Sequence, residues 1–175
     1  ADMGVDMIIL TGNPGIGVEN HAIIHALTQL KKAVGDRVIL TAGKMHASGI
    51  ASEAGESILT PEDVDQFIEA GADVILLPAP GTVPGITLEY ARTLIHQAHA
   101  KEALAMTTIG TSQEGADEAT IRQIALMCKM AGADIHHIGD SGYMGMALPE
   151  NITAYSVVIR GKRHTYRRMA SSLVR

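Results

Sequence analysis

The sequence predicts an α/β fold in which short buried strands alternate with helices around a parallel sheet. Five apolar runs, each followed by a helix-like segment, divide the 175 residues into similar units. A Gly-x-Asp step recurs before the apolar run at 3–12, 70–79 and 131–140. Aromatic residues make up 3% of the chain and Trp is absent, so the core is aliphatic, which is typical of strands buried on both faces.

The predicted strands are short, apolar and followed by Gly or Pro, and they lie at 3–12, 36–46, 70–79, 102–112 and 131–140. Asp6, Asp73 and Asp134 stand directly before three of them. We expect these aspartates to be turn residues at the amino ends of the strands.

The predicted helices carry recognisable start and stop signals, and the segment 60–71 shows them best. Thr60 is its expected N-cap, Pro61 its first helical residue, and Gly71 its stop, with Asp63 three residues after the cap. Asn20 is expected to cap a helix at 20–34. Further helices are expected at 87–100, at 117–132 and in the C-terminal segment from residue 150.

Two architectures fit five strand–helix units. One is the C-terminal five units of a (β/α)8 TIM-type barrel, with 1–175 as a single domain that lacks about three N-terminal units. The other is a five-stranded doubly wound parallel sheet. The strand-like start without Met and the helical C-terminal segment favour the partial barrel. Its two bare sheet edges favour a homo-oligomer.

The composition of the chain limits the classes of partner and the cellular compartment that we expect. A net charge of −5 argues against nucleic acid, and one Cys excludes an internal disulfide or a Cys-rich zinc site and favours a reducing cytoplasm. No apolar run approaches ~18 residues, so no membrane span is expected. The sequence assigns no metal and no cofactor.

The loops after the strands are rich in Gly and small polar residues, whereas the reverse connections are short and plain. Both architectures place ligand chemistry at this end. The loops after the first and third strands give Asn13, Gly15, Gly81 and Thr82 as expected substrate contacts.

The last two loops are the expected phosphate site, because backbone amides of Gly-rich loops ahead of helices bind anions. The expected contacts are Gly110, Thr111, Ser112, Gly139, Asp140, Ser141 and Gly142. A tight turn is the alternative for each loop taken alone. The run GNPGIG lacks the dinucleotide spacing and is followed by no Walker lysine.

Ionisable residues at the strand ends are the expected catalytic groups. Lys44 could form a Schiff base or exchange protons, with His46 two residues later and Glu114 on a neighbouring loop. The alternative for Lys44 is a lysine that reaches solvent.

The stretch GADIHHIGDSGYMG at 132–145 admits three interpretations. A haloacid dehalogenase-type hydrolase is excluded, because position 144 is Met and the Asp-x-Asp pair Asp63/Asp65 lies inside a predicted helix. A cobalamin-ligand loop is disfavoured, since no Gly-Gly pair exists. In the third, His136 and His137 point to opposite faces of a strand. We expect His136 to face the barrel interior and to assist catalysis.

The runs LTGNPGIGV, AGKMHASGI, LLPAPGTVPGIT and IGTSQEGADE, with the stretch from 133 to 170, resemble an uncharacterised bacterial barrel family. Its members are sometimes labelled haloacid dehalogenase-like or phosphoenolpyruvate phosphonomutase-like. The resemblance implies a longer barrel and brings no established reaction.

Two functional hypotheses follow. The first is an enzyme that acts on a small phosphorylated metabolite as an isomerase, epimerase or lyase. The second is a non-catalytic ligand-binding or assembly module whose sheet is completed by another chain. Borohydride trapping of a substrate on Lys44 would separate a Schiff-base mechanism from the other possibilities.

Overall fold

In the computed structural model of the chain, residues 1–13, 15, 17–46, 50–110, 113–139 and 147–171 are described. Strands and helices alternate along them. The strands are β1 (Met7–Thr11), β2 (Ile39–Gly43), β3 (Val74–Pro78), β4 (Leu104–Thr108) and β5 (Ile135–His137). The helices are α1 (Asn20–Val34), α2 (Pro61–Glu69), α3 (Leu88–Ala100), α4 (Glu118–Ala131) and α5 (Pro149–Ala170).

The strands form one parallel sheet in the order β1-β2-β3-β4-β5. Sequential order with a helix after every strand is the topology of a barrel wall, whereas a doubly wound sheet would have a permuted order. The expected partial barrel is therefore confirmed.

The main core lies between the outer face of the sheet and the helices. Ile75 and Leu77 of β3 pack there with Phe67 of α2 and Leu94 of α3, all fully buried. The strands alternate their side chains between this face and the inner face of the partial barrel, so parity along each strand decides which residues can meet a ligand.

The inner face is apolar toward the amino ends of the strands and only partly covered. Val74, Leu76 and Met106 are buried there. Ile9, Ile39 and Leu104 share this face by register, and they are 38%, 44% and 47% exposed. The described part of the chain thus leaves an apolar sheet face open to solvent.

The aspartates before the strands are bonded into the sheet, which the expectation of turn residues missed. Asp73 Oδ2 accepts the amide of Leu40 at 2.8 Å, and the Asp73 amide donates to the Leu40 carbonyl at 2.8 Å. Asp134 makes the same two bonds to Ala105, at 2.9 and 3.0 Å. We call this pair of bonds the aspartate clamp; it locks a strand to the start of the next unit.

Helix capping follows the sequence in one case and departs from it in another. Thr60 and Asp63 form the expected capping box at α2. The expected cap of α1 was wrong: the N-cap is Glu19, and the first helical residue, Asn20, donates its side-chain amide to Asp63. The side chain that was expected to cap α1 is therefore used in a tertiary hydrogen bond to Asp63 of α2.

Helix α5 reverses at Gly161, where φ is 78°. Ser156 Oγ and Thr165 Oγ1 lie 3.1 Å apart, although nine residues separate them. Residues that far apart on a straight helix would not touch, so the basic end of α5 folds back on its first half. Among the described residues, no helix is long and apolar enough to cross a membrane.

Candidate functional site

The inner face becomes polar in its last row, at the carboxyl ends of the strands. Thr108 pairs with His137 in the β4–β5 register. Thr108 Oγ1 lies 2.9 Å from His137 Nδ1 and 3.4 Å from Met45 Sδ. Side chains from the ends of β2, β4 and β5 therefore meet at one place. We call Met45, Thr108, Glu114, His137 and Gly139 the rim cluster.

His136 lies on the other face of β5, so the expectation that it faces inward was wrong. Its Nδ1 is 3.1 Å from the Tyr155 hydroxyl, and the two rings are 5.4 Å apart, with Tyr155 on α5. Parity explains the error: Ile135 and His137 share the inner face with Met106 and Thr108, which sends His136 toward the helices.

Gly139 is required by the geometry at the end of β5. Its φ is +74°, and a Cβ at this position would lie 2.1 Å from the carbonyl oxygen of Ile109. Its amide donates to His137 Nδ1 at 3.0 Å. Gly139 thus shapes the rim and orients His137, and this amide is already engaged before any anion binds.

Glu114 is a buried carboxyl group in the loop between β4 and α4. It is 6% exposed, and its Oε2 has no hydrogen-bond partner among the described residues. A Cβ on Gly139 would lie 3.5 Å from Glu114 Cβ, so the two residues are neighbours. Buried carboxylates without partners are costly, and such groups are concentrated at functional sites.

Asn151, near the start of α5, holds this loop in place. Its Nδ2 donates to the carbonyl oxygens of Glu114 and Ala116 at 2.8 and 2.9 Å, and the residue is buried. Two hydrogen bonds therefore tie the first turn of α5 to the loop that carries Glu114.

Lys44 directly follows β2 and is 2% exposed. Its aliphatic chain crosses Gly12: a Cβ there would lie 2.9 Å from Lys44 Cγ and 3.3 Å from Ile23 on α1. Lys44 is therefore not a lysine that reaches solvent, and its stem runs on the helix side of the β1 end. His46 is half-buried in the same loop.

The other expected contact residues lie in the loops of the same rim. Asn13 closes the loop after β1 by two backbone bonds with Val18, and Gly15 is exposed within it. Gly81 and Thr82 line an open cleft of about 790 Å³ together with Gln113, whose amide donates to the Gly81 carbonyl.

Of the two expected phosphate loops, Gly110 and Gly139 are described, and both lie at the rim. A Cβ on Gly110 would lie 3.9 Å from Met45 Cβ, which places the loop after β4 beside the rim cluster. Thr111, Ser112, Asp140, Ser141 and Gly142 lie outside the described residues.

Three groups on the helix side of β5 have shifted pKa values. Burial raises the pKa values of the Cys128 thiol and the Tyr155 hydroxyl, and it lowers the pKa of His136, which Arg160 lowers further. Cys128 is fully buried in the core between the sheet and the helices. Among the described residues, no group of three or more His, Cys, Asp or Glu side chains could hold a metal ion.

Sequence reasoning missed Thr108 and Asn151. Parity could have identified Thr108, because it shares its face with Met106 and ends the same strand. Asn151 carries no local signal, since its role depends on a loop that lies 35 to 37 residues earlier.

An open parallel sheet with helices on one face and polar residues along its carboxyl-terminal rim defines an α/β protein of the TIM-barrel type. Within that class, the chain belongs to a family known as a domain of unknown function, DUF7916, whose model matches residues 1–175. No curated protein matches it. The expected uncharacterised barrel family is thus confirmed, while the haloacid dehalogenase-like and phosphonomutase-like labels have no counterpart among these matches.

Solved structures share the fold at low sequence identity. A deoxyribose phosphate aldolase from Aeropyrum pernix, described as a tetramer, matches with a TM-score of 0.56 and 12% identity, over 89% of this chain and 70% of that one. A putative deoxyribose-phosphate aldolase from Coccidioides immitis matches with a TM-score of 0.63 and 14% identity, over 90% of this chain and 56% of that one. The chain thus spans 70% of the length of the first of these aldolases and 56% of the second.

Proposed function

We propose that the protein is an enzyme that acts on a small phosphorylated metabolite as an isomerase, epimerase or lyase at the carboxyl-terminal rim. The observation that carries this proposal is the carboxyl group of Glu114, buried and unpaired on Oε2 among the described residues. A structural carboxylate would be hydrogen-bonded on both oxygens or exposed. An acid/base group needs an oxygen free for the substrate proton.

Lys44 is the second proposed catalytic residue. Its side chain is among the largest fully buried ones, and a lysine is almost never fully buried unless it is paired, so its amine is held in a defined place at the end of β2. A buried amine can form a Schiff base with a carbonyl substrate or exchange protons with it. His46, which follows in the same loop, is the proposed assistant of Lys44.

Phosphate binding is proposed for the loops after β4 and β5, ahead of α4 and α5. The free amides of a helix N-terminus favour anions, and the start of α5 is tied to the Glu114 loop through Asn151. Because the Gly139 amide donates to His137, we propose that Gly139 shapes the rim and does not bind phosphate. The proposed phosphate contacts after β4 are Gly110, Thr111 and Ser112.

The fold shared with two aldolases is compatible with a lyase. At 12% and 14% sequence identity, however, the similarity shows only that the fold is shared. The reaction therefore has to be found by experiment. The protein is incubated with aldose and ketose phosphates of three to six carbons, and the products are followed by proton NMR.

Three variants test the assignment. Glu114→Gln is expected to lower turnover by roughly 10²–10⁴, the range of acid/base catalysis. Lys44→Met keeps the buried stem and removes the amine. Lys32→Met, an exposed lysine on α1, is the matched control and is expected to leave turnover unchanged. Full activity in both Glu114→Gln and Lys44→Met would refute the proposed site.

Borohydride distinguishes the chemistry of Lys44. A Schiff base forms with loss of water, and its reduction by borohydride adds two hydrogens. The peptide that contains Lys44 therefore gains the mass of the carbonyl compound less one oxygen atom, and Lys44→Met prevents the addition. Turnover without any trapped adduct would assign Lys44 to proton transfer or substrate binding.

A second candidate function is an assembly module completed by another chain, and the aspartate clamp favours it. Asp73 bonds to strands on both sides: its clamp holds β2, and its carbonyl accepts the Leu104 amide at 3.0 Å. Asp6 occupies the equivalent position before β1. Its carbonyl accepts the Ile39 amide at 2.9 Å, and β1 is an edge strand of the sheet, so by the same repeat its carboxylate would clamp a strand added beside β1.

By analogy with Asp73, Asp6 would let the β1 edge pair with a further parallel strand. The exposed apolar residues of the inner face point the same way, because strands that closed the sheet would cover them. Light scattering on a sizing column tests the idea. A discrete oligomer without turnover on the substrate panel would support it, and a stable monomer would contradict it.

A further inference from the structure

We propose that His137 is a catalytic hydrogen-bond donor, which presents its Nε2–H to a substrate oxygen that becomes negatively charged. The substrate class is then a phosphorylated aldehyde or ketone. This inference rests on the proposed function and adds to it a residue that was not expected from the sequence to face the site.

The position of His137 follows from strand register. It pairs with Thr108 in the last inner row, and Thr108 also approaches Met45 from the end of β2. His136 faces the helices and is engaged with Tyr155. Of the two histidines, His137 is therefore the one that the inner rim presents to a ligand.

The tautomer of His137 follows from its backbone partner. The amide of Gly139 can only donate, and it reaches His137 Nδ1 at 3.0 Å, so Nδ1 is the acceptor. The Thr108 hydroxyl, 2.9 Å from the same nitrogen, can donate or accept, and with Nδ1 as acceptor it donates to His137 and not to Met45. A neutral imidazole that accepts on Nδ1 carries its proton on Nε2. No partner of Nε2 occurs in the described part of the chain, which leaves this N–H for a ligand.

The orientation is fixed by the backbone and not only by side chains. Gly139 reaches His137 because its backbone, with φ at +74°, passes close to the Ile109 carbonyl. The Ile109 amide in turn donates to the His137 carbonyl at 2.9 Å. A donor held in this way is pre-organised, which makes it effective on a charge that appears only during the reaction.

Glu114 supplies the complementary step, since its Cβ would lie 3.5 Å from a Cβ on Gly139, the residue whose amide holds His137. Its carboxylate removes the hydrogen beside the substrate carbonyl as a proton. The C–H electron pair forms a carbon–carbon double bond, and the carbonyl pair moves onto oxygen. The resulting enolate oxygen accepts the hydrogen bond from His137 Nε2–H.

Nitrogen NMR of the protein labelled with ¹⁵N-histidine tests the tautomer without any substrate. We expect His137 to show a protonated Nε2 and an unprotonated Nδ1 at neutral pH. Thr108→Val should retain this pattern, because the Gly139 amide still donates. A proton on Nδ1 would overturn the inference and leave the proposed function intact.

Two variants of His137 test the role in catalysis. In His137→Asn the amide oxygen can replace Nδ1 as acceptor, but nothing reaches the position of Nε2. In His137→Gln the side-chain amide reaches that position. The readout is deuterium incorporated from D2O beside the carbonyl of the ketose phosphates in the panel. We expect about a 100-fold loss in the Asn variant and a smaller loss in the Gln variant.

Thr107→Val is the matched control. Thr107 precedes Thr108 on β4 and faces the helices, so this variant should catalyse deuterium exchange at the wild-type rate. If His137→Asn, folded as judged by circular dichroism, exchanged at the wild-type rate, the role of His137 would be refuted. If the wild type itself exchanged nothing, the proposed function would fail, and the tautomer result would stand separately as a property of the fold.

Discussion

Replacing Asn151 by Asp should destabilise the protein severely, because a donor becomes an acceptor in a buried position. Asn151 donates both of its amide hydrogens, to the carbonyl oxygens of Glu114 and Ala116 at 2.8 and 2.9 Å. The Asp side chain has nearly the same shape. Its carboxylate would face two carbonyl oxygens with no hydrogen to share, and the site is almost closed to water.

The magnitude follows from the number of bonds. Asn151→Ala loses two hydrogen bonds of about 1 kcal/mol each, so we expect about 2 kcal/mol less unfolding free energy. Asn151→Asp also buries an uncompensated charge, which brings the loss to roughly 3–5 kcal/mol. The native-state pKa of the new carboxyl is raised above its unfolded value. The variant therefore regains stability as the pH falls through that raised pKa, when the protonated group can donate again.

Urea unfolding followed by far-ultraviolet circular dichroism measures these losses, since the chain has no Trp to report by fluorescence. Thr153→Val on the same helix removes a local bond to the Pro149 carbonyl and should change stability by less than about 0.5 kcal/mol. An Asn151→Asp variant no less stable than Asn151→Ala at pH 8 would refute the reasoning.

Three further outcomes are expected. Burial raises the pKa of Cys128, so its thiol should react with an aromatic disulfide reagent only after unfolding. Burial lowers the pKa of His136, so its contribution to stability is present above about pH 6.5 and is lost as the pH falls toward the native pKa. Urea unfolding of His136→Asn should show a weaker pH dependence in this window than the wild type. Thr60→Ala removes one half of the capping box and should cost about 1 kcal/mol in the same assay, and an unchanged midpoint would contradict the capping role.

The strand–helix alternation could be predicted from the sequence because each unit carries its own local signals. The apolar run of β3 and the Thr60–Asp63 capping box are both readable within ten residues. The contrast between Gly-rich and plain loops led to the expectation that the site lies at the carboxyl ends of the strands, and this stays a prediction.

The orientation of individual side chains could not be predicted in the same way. A three-residue strand such as β5 has no alternation of apolar and polar residues that would show which side chains face inward. The prediction therefore placed His136 on the inner face, where the structure has His137. The partners of Asn20 and Asn151 lie more than 30 residues away, and only the folded chain brings them together. Local patterns predict elements, whereas the contacts that build a site are set by register and tertiary packing.

The aspartate clamps bear on where the molecule can move. Asp73 and Asp134 fasten the amino ends of β2 and β4 by side-chain and backbone bonds together, so fraying of these strands from that end would break two bonds at once. The opposite ends carry the glycine loops. Breathing motions should therefore begin at the end that carries the proposed ligand site, while amide hydrogens at the clamped end exchange slowly with solvent.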